Sequence, residues 1–306
     1  MSQRTHVDWF AFRTQAEPLH VQSALQRFFG PVGSAVNLRH RKRGWMGYEQ
    51  SADLRLSDMT IGMVAYGGSG QGGWVYVSIS ARGCEWVTDW DTAQEEASKL
   101  ACFDLRRVDV ALDTFNGEMS HDSVLGAYRA GGFTVRRPPT MKQILPEDPQ
   151  DGRTIYIGNR ERDKFTRCYE KGLQLAAKAP RGHRFSHING TPVANIYRAE
   201  LELKAKTAPL PVDLVERRDQ YFAGAYPYFQ QVLADVEPQS VRLAREKGPQ
   251  LDLAAILATI RHQYGTHLFT ACAAYGGDIG AVWSKISGSE HNEALLDAGV
   301  LLVDHD

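Results

Sequence analysis

Over its first two thirds the chain alternates apolar and polar positions. Strand side chains point to opposite faces with period two, so each such run predicts a strand with one buried face. His6 to Thr14 is the first run and is rich in aromatics. Val36 to Leu56 predicts a strand pair, and Thr60 to Tyr66 and Trp74 to Ser80 predict two strands around the glycine-rich stretch Gly67 to Gly73. In Leu105 to Thr114, Val108, Val110 and Leu112 take one face, and Asp109, Ala111 and Asp113 take the other. Ile155 and Ile157 likewise oppose Thr154 and Tyr156; after a polar turn, Phe165, Arg167, Tyr169 and Lys171 share one face. From Tyr197 to Lys206, Tyr197, Ala199, Leu201 and Leu203 oppose Arg198, Glu200, Glu202 and Lys204.

Helical spacing appears at Leu19, Val21, Leu25 and Phe28 or Phe29, ended by Gly30, and a second helix is expected over Thr92 to Leu100. A third runs from Ser120 or His121 to Ala130, with Ser120 or Asp122 as N-cap and Gly131-Gly132 as its stop. Arg136 to Gly152 is proline-rich and reads as an irregular loop; Lys178 to Thr191, with His183 and His187, reads as a solvent-exposed polar excursion. Beyond Pro209 the pattern turns helical, over Val212 to Leu233, Leu251 to Ala274 and parts of 276–303, with a polar stretch from Glu237 to Gln250. The order strand, helix, strands occurs twice, opening on Val7-Asp8-Trp9 and on Val108-Asp109-Val110. The expected fold is therefore α+β: tandem-duplicated antiparallel sheet units with helices packed on one face, in a domain 1–206 with halves at about 5–90 and 91–206. A helical C-terminal region, 207–306, follows.

Composition narrows the function classes. The 306 residues are 43% hydrophobic and 23% charged, with a formal net charge of -1, so any nucleic-acid site must be a local basic patch. No stretch reads as a membrane span, and the N-terminal residues lack a signal-peptide apolar region. The four cysteines are far apart without a C-x-x-C pair, which argues against zinc or disulfides and for a reducing cytoplasm. Gly68, Gly70 and Gly73 match G-x-G-x-x-G, but a strand rather than a helix follows, so they read as a hairpin tip.

Candidate chemistry concentrates in the second half. Between Arg153 and Arg184 there are nine Lys/Arg against three Asp/Glu, and Tyr169 stands between Arg167 and Lys171. Carboxylates on a polar sheet face suit Mg²⁺ or Mn²⁺, which prefer hard oxygen ligands. Asp109 and Asp113 are roughly 13 Å apart along a strand, too far to share an ion, whereas Glu200 and Glu202 are about 6–7 Å apart. One Asp with one or both Glu on neighbouring strands is the economical site. The same acids could instead form ion pairs with Arg106, Arg107, Arg198 and Lys204. A metal beside a cation-flanked tyrosine points to phosphoryl transfer to a phenol, leaving a 5′-phosphotyrosine and a free 3′-OH. Arg39, Arg41, Lys42 and Arg43, next to Trp45, and Arg160 and Arg162 in the polar turn, are candidate phosphate contacts.

Four segments, Arg107 to Asp113, Thr154 to Arg160, Arg167 to Gly172 and Tyr197 to Lys204, resemble in order and spacing the replication initiation factor family. These are the trans-type rolling-circle initiators of plasmids, integrative elements and filamentous phages. Gly44-Trp45-Met46-Gly47-Tyr48 resembles that family's early Gly-x-x-Gly-Tyr stretch. The resemblance implies a metal-dependent DNA nickase and strand transferase specific for an origin, working in a bacterial cytoplasm. By position it implies Tyr169 as nucleophile, with Tyr156 as the other candidate and Arg167 and Lys171 beside it. It implies metal ligands among Asp109, Asp113, Glu200 and Glu202. It further implies origin DNA, double-stranded and as the nicked single strand, as partner, recruitment of a host helicase, and a possible homodimer. A His-hydrophobic-His metal motif is absent. The competing readings are an origin-binding regulator without catalysis and a nuclease that uses water.

Overall fold

The computed structural model describes residues 3–179, 185–241 and 253–290. Its centre is one ten-stranded antiparallel sheet. In chain order the first half contributes β1 (His6–Thr14), α1 (Pro18–Phe28), β2 (Val36–His40), β3 (Gln50–Leu56), β4 (Met59–Tyr66), β5 (Val75–Ile79), α2 (Ala81–Cys84) and α3 (Trp90–Ser98). The second half contributes β6 (Asp104–Thr114), α4 (His121–Arg129), β7 (Met141–Ile144), β8 (Thr154–Gly158), β9 (Lys164–Tyr169) and α5 (Lys171–Ala177). A small hairpin, β10 (His187–Ile188) and β11 (Thr191–Pro192), then leads to β12 (Tyr197–Lys204).

Across the sheet the strands run β2-β3-β4-β5-β1-β6-β12-β9-β8-β7. Read outward from the central β1–β6 pair, the two sides match: β1, β5, β4, β3, β2 against β6, β12, β9, β8, β7. Two units of equal strand order, joined through their first strands, are the arrangement that a tandem duplication produces.

The apolar half of each alternating run lies under helices. Phe10 and Phe12 of β1 are fully buried, and Phe10 packs on Phe28 of α1 and Trp90 of α3, each with ring centroids 5.6 Å apart. Helix α1 starts with a proline in its first turn, where no amide donor is missed, and buries Val21, Ala24, Leu25 and Phe28. On the other side Val124 of α4 meets the same layer, and α4 is closed by a capping box between Ser120 and Ser123.

Three stretches depart from expectation. The proline-rich loop contains the edge strand β7, paired to β8 from Met141↔Ile157 to Ile144↔Thr154. Lys171 is not on the tyrosine strand: β9 ends at Tyr169 and Lys171 opens α5. The helix expected over Val212 to Leu233 is two short ones, α6 (Arg218–Ala223) and α7 (Pro227–Val232), because Pro227 cannot continue α6 and starts a new helix.

These two helices belong to the sheet's own core. Phe222 and Phe229 stack at 4.3 Å, and Phe133 packs on Phe229 at 5.6 Å. Asp219 fastens the N-terminal strand, accepting hydrogen bonds from the Arg4 and Thr5 amides at 2.9 and 2.8 Å and from Thr5 Oγ1 at 2.6 Å. The compact unit therefore runs to Arg245, past Thr207, because Leu210, Leu214, Tyr221 and Phe222 complete the buried layer. The second unit, Glu246–Asp306, carries α8 (Leu253–Ala274) and α9 (Ile279–Ile286), the latter capped by Asp278 through the Ala281 amide at 2.9 Å. Among the described residues no helix is long and apolar enough to cross a membrane.

Candidate active site

The polar face of the second half forms ladders of directly opposed residues. In β12, Arg198 lies opposite both Tyr169 and Asp113, Glu200 opposite both Arg167 and Ala111, and Glu202 opposite both Phe165 and Asp109. One strand further out, Tyr156 of β8 lies opposite Arg167. Alternation thus places Tyr156, Arg167, Glu200, Tyr169, Glu202 and Asp109 on one face.

The carboxylates are buried beneath cations. Asp109, Glu200 and Glu202 are each at most 2% exposed. Arg107 grips Asp109 with two hydrogen bonds, 2.8 and 2.6 Å, and reaches Glu202 at 2.9 Å with the same Nη2. Glu202 also pairs with Lys204, and Arg160 stands 3.9 Å away. Arg167 pairs with Glu200, whose other oxygen accepts the Tyr169 hydroxyl at 3.4 Å. Burial, reinforced by Glu202 and Glu200, outweighs the help of Arg107 and pushes the Asp109 carboxyl up to about 7. Burial raises Glu200 as well.

Asp113 stands apart. Arg198 holds it with two hydrogen bonds, 2.6 and 2.7 Å, and reaches Asp8 at 2.9 Å. Asp8 was not a candidate on sequence: a register shift between Val7 and Trp9 leaves it as an extra residue on β1. Contacts then put both neighbours on the polar face, Asp8 against Arg198 and the Trp9 ring under Arg107 at 4.7 Å. The structure therefore places Asp113 in a buried two-acid clamp on Arg198, two residues along the strand from the row of Glu200 and four from that of Asp109.

The two tyrosines differ in access. Tyr169 is 9% exposed, and burial holds its hydroxyl well above the ordinary phenol range. Lys171 Nζ is 5.7 Å from its ring, reaching over from the first turn of α5. Tyr156 is half-buried, with its ring 5.4 Å from Phe165. Glu170, between Tyr169 and α5, takes the Arg153 amide at 2.6 Å and its guanidinium at 2.8 Å. Gly172 allows the next contact: a Cβ there would lie 2.1 Å from the Val193 carbonyl oxygen. The segment from Arg167 to Gly172 is thus a strand end pinned on both sides.

Arg160 and Arg162 are exposed in the β8–β9 turn, beside the acids. Arg39, Arg41, Lys42 and Arg43 are exposed at the β2 edge, eight strand positions from β8, or about 38 Å at ordinary strand spacing. His187 is exposed on β10, and His183 lies outside the described residues.

As metal ligands the acids give a mixed picture. Among the described residues no three His, Cys, Asp or Glu side chains converge on one point. Asp109 and Glu202 are nevertheless cross-strand partners with hard oxygen donors. Both carboxylates of that pair are held by Arg107, which occupies the positions a hard divalent cation would take. Glu200 is one row away, and Asp113 is committed to Arg198.

Residues 103–248 match the model of the family described as "Replication initiation factor". The matched segment is just under half of the chain. It contains Asp109, Asp113, Tyr156, Tyr169, Glu200 and Glu202, but not Asp8, and begins at the second half of the sheet. The fold of the whole sheet resembles the structure of the rolling circle replication initiator protein from Geobacillus stearothermophilus. That match has a TM-score of 0.54 and 17% sequence identity over 78% of this chain and 98% of that one, so it extends well outside the family segment. No curated protein sequence matches the chain.

Proposed function

We propose that the chain is a rolling-circle replication initiator that nicks one strand of its origin through a tyrosine and holds the 5′ end as a phosphotyrosine. The observation that carries this reading is the ladder Tyr156–Arg167–Glu200, beside the buried Asp109–Glu202 pair, on one sheet face. The attacking group must reach a phosphodiester, and that requirement favours the half-buried Tyr156 over Tyr169. The Tyr156 oxygen attacks phosphorus, the bond from phosphorus to the 3′ oxygen breaks, and the 3′ oxygen takes up a proton as the free hydroxyl. The phenol proton leaves to the solvent that borders the ring. Arg167, opposite Tyr156, stabilises the phenolate and the charge that builds on the phosphate oxygens. Rejoining is the same step reversed, with a 3′-OH as nucleophile.

Tyr169 acts here as a positioning residue, its hydroxyl orienting Glu200 and, through it, Arg167. A divalent cation such as Mg²⁺ or Mn²⁺, held by Asp109 and Glu202, would supply further neutralisation of the phosphate. Arg160 and Arg162 sit where the DNA backbone would pass the site. Origin DNA is the partner in this reading, and a host helicase and a second copy of the chain complete the assembly that initiation requires.

A second reading has support of its own. The Tyr169–Glu200 hydrogen bond is a nucleophile–base pair already formed, so Tyr169 would attack if DNA binding opened the site. Mass spectrometry of the peptide left on cleaved origin DNA decides between them. A DNA-linked Tyr156 peptide, lost in Tyr156→Phe, supports the first reading, and a linked Tyr169 peptide supports the second. Cleavage without any adduct would leave the water-using nuclease, and tight origin binding without cleavage would leave the non-catalytic regulator.

A further inference from the structure

The first half of the sheet carries the same polar face, with aromatic rings where the second half has its buried acids; its own acids are Asp8, held by Arg198, and Asp53, 3.8 Å from Arg41. Trp9, Trp45, Trp74 and Tyr76 are all half-buried. Tyr76 of β5 lies opposite Arg13 of β1, and Trp74 precedes it by two residues, on the same side. The Arg13 guanidinium lies over the Trp74 ring at 4.2 Å, and that of Arg107 over Trp9 at 4.7 Å. The Trp45 ring meets Tyr76 at 5.8 Å.

Trp45 is held there by a built loop. A Cβ on Gly44 would lie 1.8 Å from the Tyr48 carbonyl oxygen, so the chain closes tightly around this residue. The Tyr48 amide donates to the Trp45 carbonyl at 3.0 Å, and Gln71 from the glycine-rich hairpin donates to the Gly47 carbonyl at 3.0 Å. Met46 and Gly47 take positive φ, 53° and 83°, to complete the turn. Two features of the sequence that the nicking site does not use, Gly44 to Tyr48 and the glycine-rich hairpin, therefore brace each other and present one indole to the sheet face.

We propose that this face is a stacking platform for single-stranded DNA. Rings interleaved with arginines suit unpaired bases, whose flat faces are open, and suit a duplex poorly, since its bases are stacked on each other. Arg39 and Arg41 to Arg43 at the β2 edge supply the phosphate contacts of such a strand. The platform runs into the nicking site without a break. Arg107, which covers Trp9, also holds Asp109 and Glu202, and Trp9 lies directly opposite Asp109. A strand on the platform would enter the site from the first half of the sheet. The inference rests on the nucleic-acid reading of the family segment, but not on which tyrosine attacks or on cleavage itself.

The test uses the full chain in EDTA with fluorescein-labelled dT20 and, separately, a 20-base-pair duplex of arbitrary sequence. Binding of dT20 quenches intrinsic tryptophan fluorescence. Trp45→Ala and Trp74→Ala each weaken dT20 binding by roughly 5- to 150-fold, the range of one lost base–aromatic stack, and leave duplex binding within about twofold. Trp74→Phe keeps most of the affinity. Unchanged dT20 binding in both alanine variants overturns the proposal. Photocrosslinking of wild-type protein to 5-iododeoxyuridine oligonucleotide requires no variant. Linked peptides containing Trp9, Trp45 or Trp74 support the platform, and links confined to other peptides overturn it. A protein that fails to nick its origin but shows this pattern would lose the nicking reading alone. One that nicks but binds dT20 independently of the tryptophans would lose the platform alone.

Discussion

Asp109→Asn should make the protein more stable at pH 8 while abolishing strand cleavage. Asp109 is 1% exposed, and its carboxyl is raised from 3.8 to about 7. Because the folded value is the higher one, the folded chain keeps this proton over a range in which the unfolded chain has lost it. The stabilisation from this group is complete below about pH 4 and is lost as pH rises through about 7. At pH 8 the ionised carboxylate costs about 4 kcal/mol relative to its protonated form, and at pH 5 under 2 kcal/mol. Asparagine has the shape of the protonated acid and can still accept from Arg107, so it escapes this cost. For a unit of this size about 4 kcal/mol corresponds to roughly 8–16 °C in Tm. Thermal unfolding of both proteins in EDTA, at pH 5 and pH 8, reads the difference directly. A variant no more stable than wild type at pH 8, or a gap equal at both pH values, would refute the reasoning and make Asp109 an ordinary partner of Arg107. Adding Mg²⁺ at ten times its Kd should raise wild-type stability by about 1.4 kcal/mol at pH 8 and leave the variant nearly unmoved.

Other perturbations separate structure from chemistry. Asp113→Ala leaves Arg198 buried with only Asp8, and should cost about 3–5 kcal/mol in urea unfolding. Gly172→Ala forces a Cβ onto the Val193 carbonyl; it should lower the denaturant midpoint by about 1–3 kcal/mol in stability and loosen the end of β9 beside Tyr169. Arg160→Gln with Arg162→Gln should leave stability within about 0.5 kcal/mol and reduce the slope of log K against log salt for duplex DNA by about 2.

Much of the architecture was legible because each buried strand face repeats with period two over at least four positions. Ile155 and Ile157, or Leu201 and Leu203, can face only one way. The candidate residues were legible, and the pairing of one Asp with a Glu on a neighbouring strand was among the readings, but which acids pair was not. Distances along a strand allowed Glu200 with Glu202, and the cross-strand register sets Glu202 beside Asp109 and Glu200 beside Arg167. Register depends on turns and bulges, and the bulge that turns Asp8 toward Arg198 has no glycine or proline to announce it. Lys171 was misplaced because alternation continues on paper through Glu170, where the backbone has already turned into α5. Strand β7 was missed for the opposite reason: four residues behind two prolines are too short to show a period.

On the proposed function, the duplicated sheet accounts for how a chain with net charge -1 would bind DNA. Each of the four candidate acids in the second half is matched by a cation from the same or the next strand: Arg107 for Asp109, Arg167 for Glu200, Lys204 for Glu202 and Arg198 for Asp113. The face that carries them is thus close to neutral at its centre, with exposed cations at its margins, Arg160 and Arg162 in the β8–β9 turn and Arg39, Lys42 and Arg43 at the β2 edge. A uniformly basic sheet would bind any duplex tightly and release it slowly. In the proposed platform, rings interleaved with Arg13 and Arg107 in the first half would make retention depend on unpaired bases. On the proposed reading the ring-bearing half would select the state of the DNA, and the half with the buried Asp109–Glu202 pair would act on it.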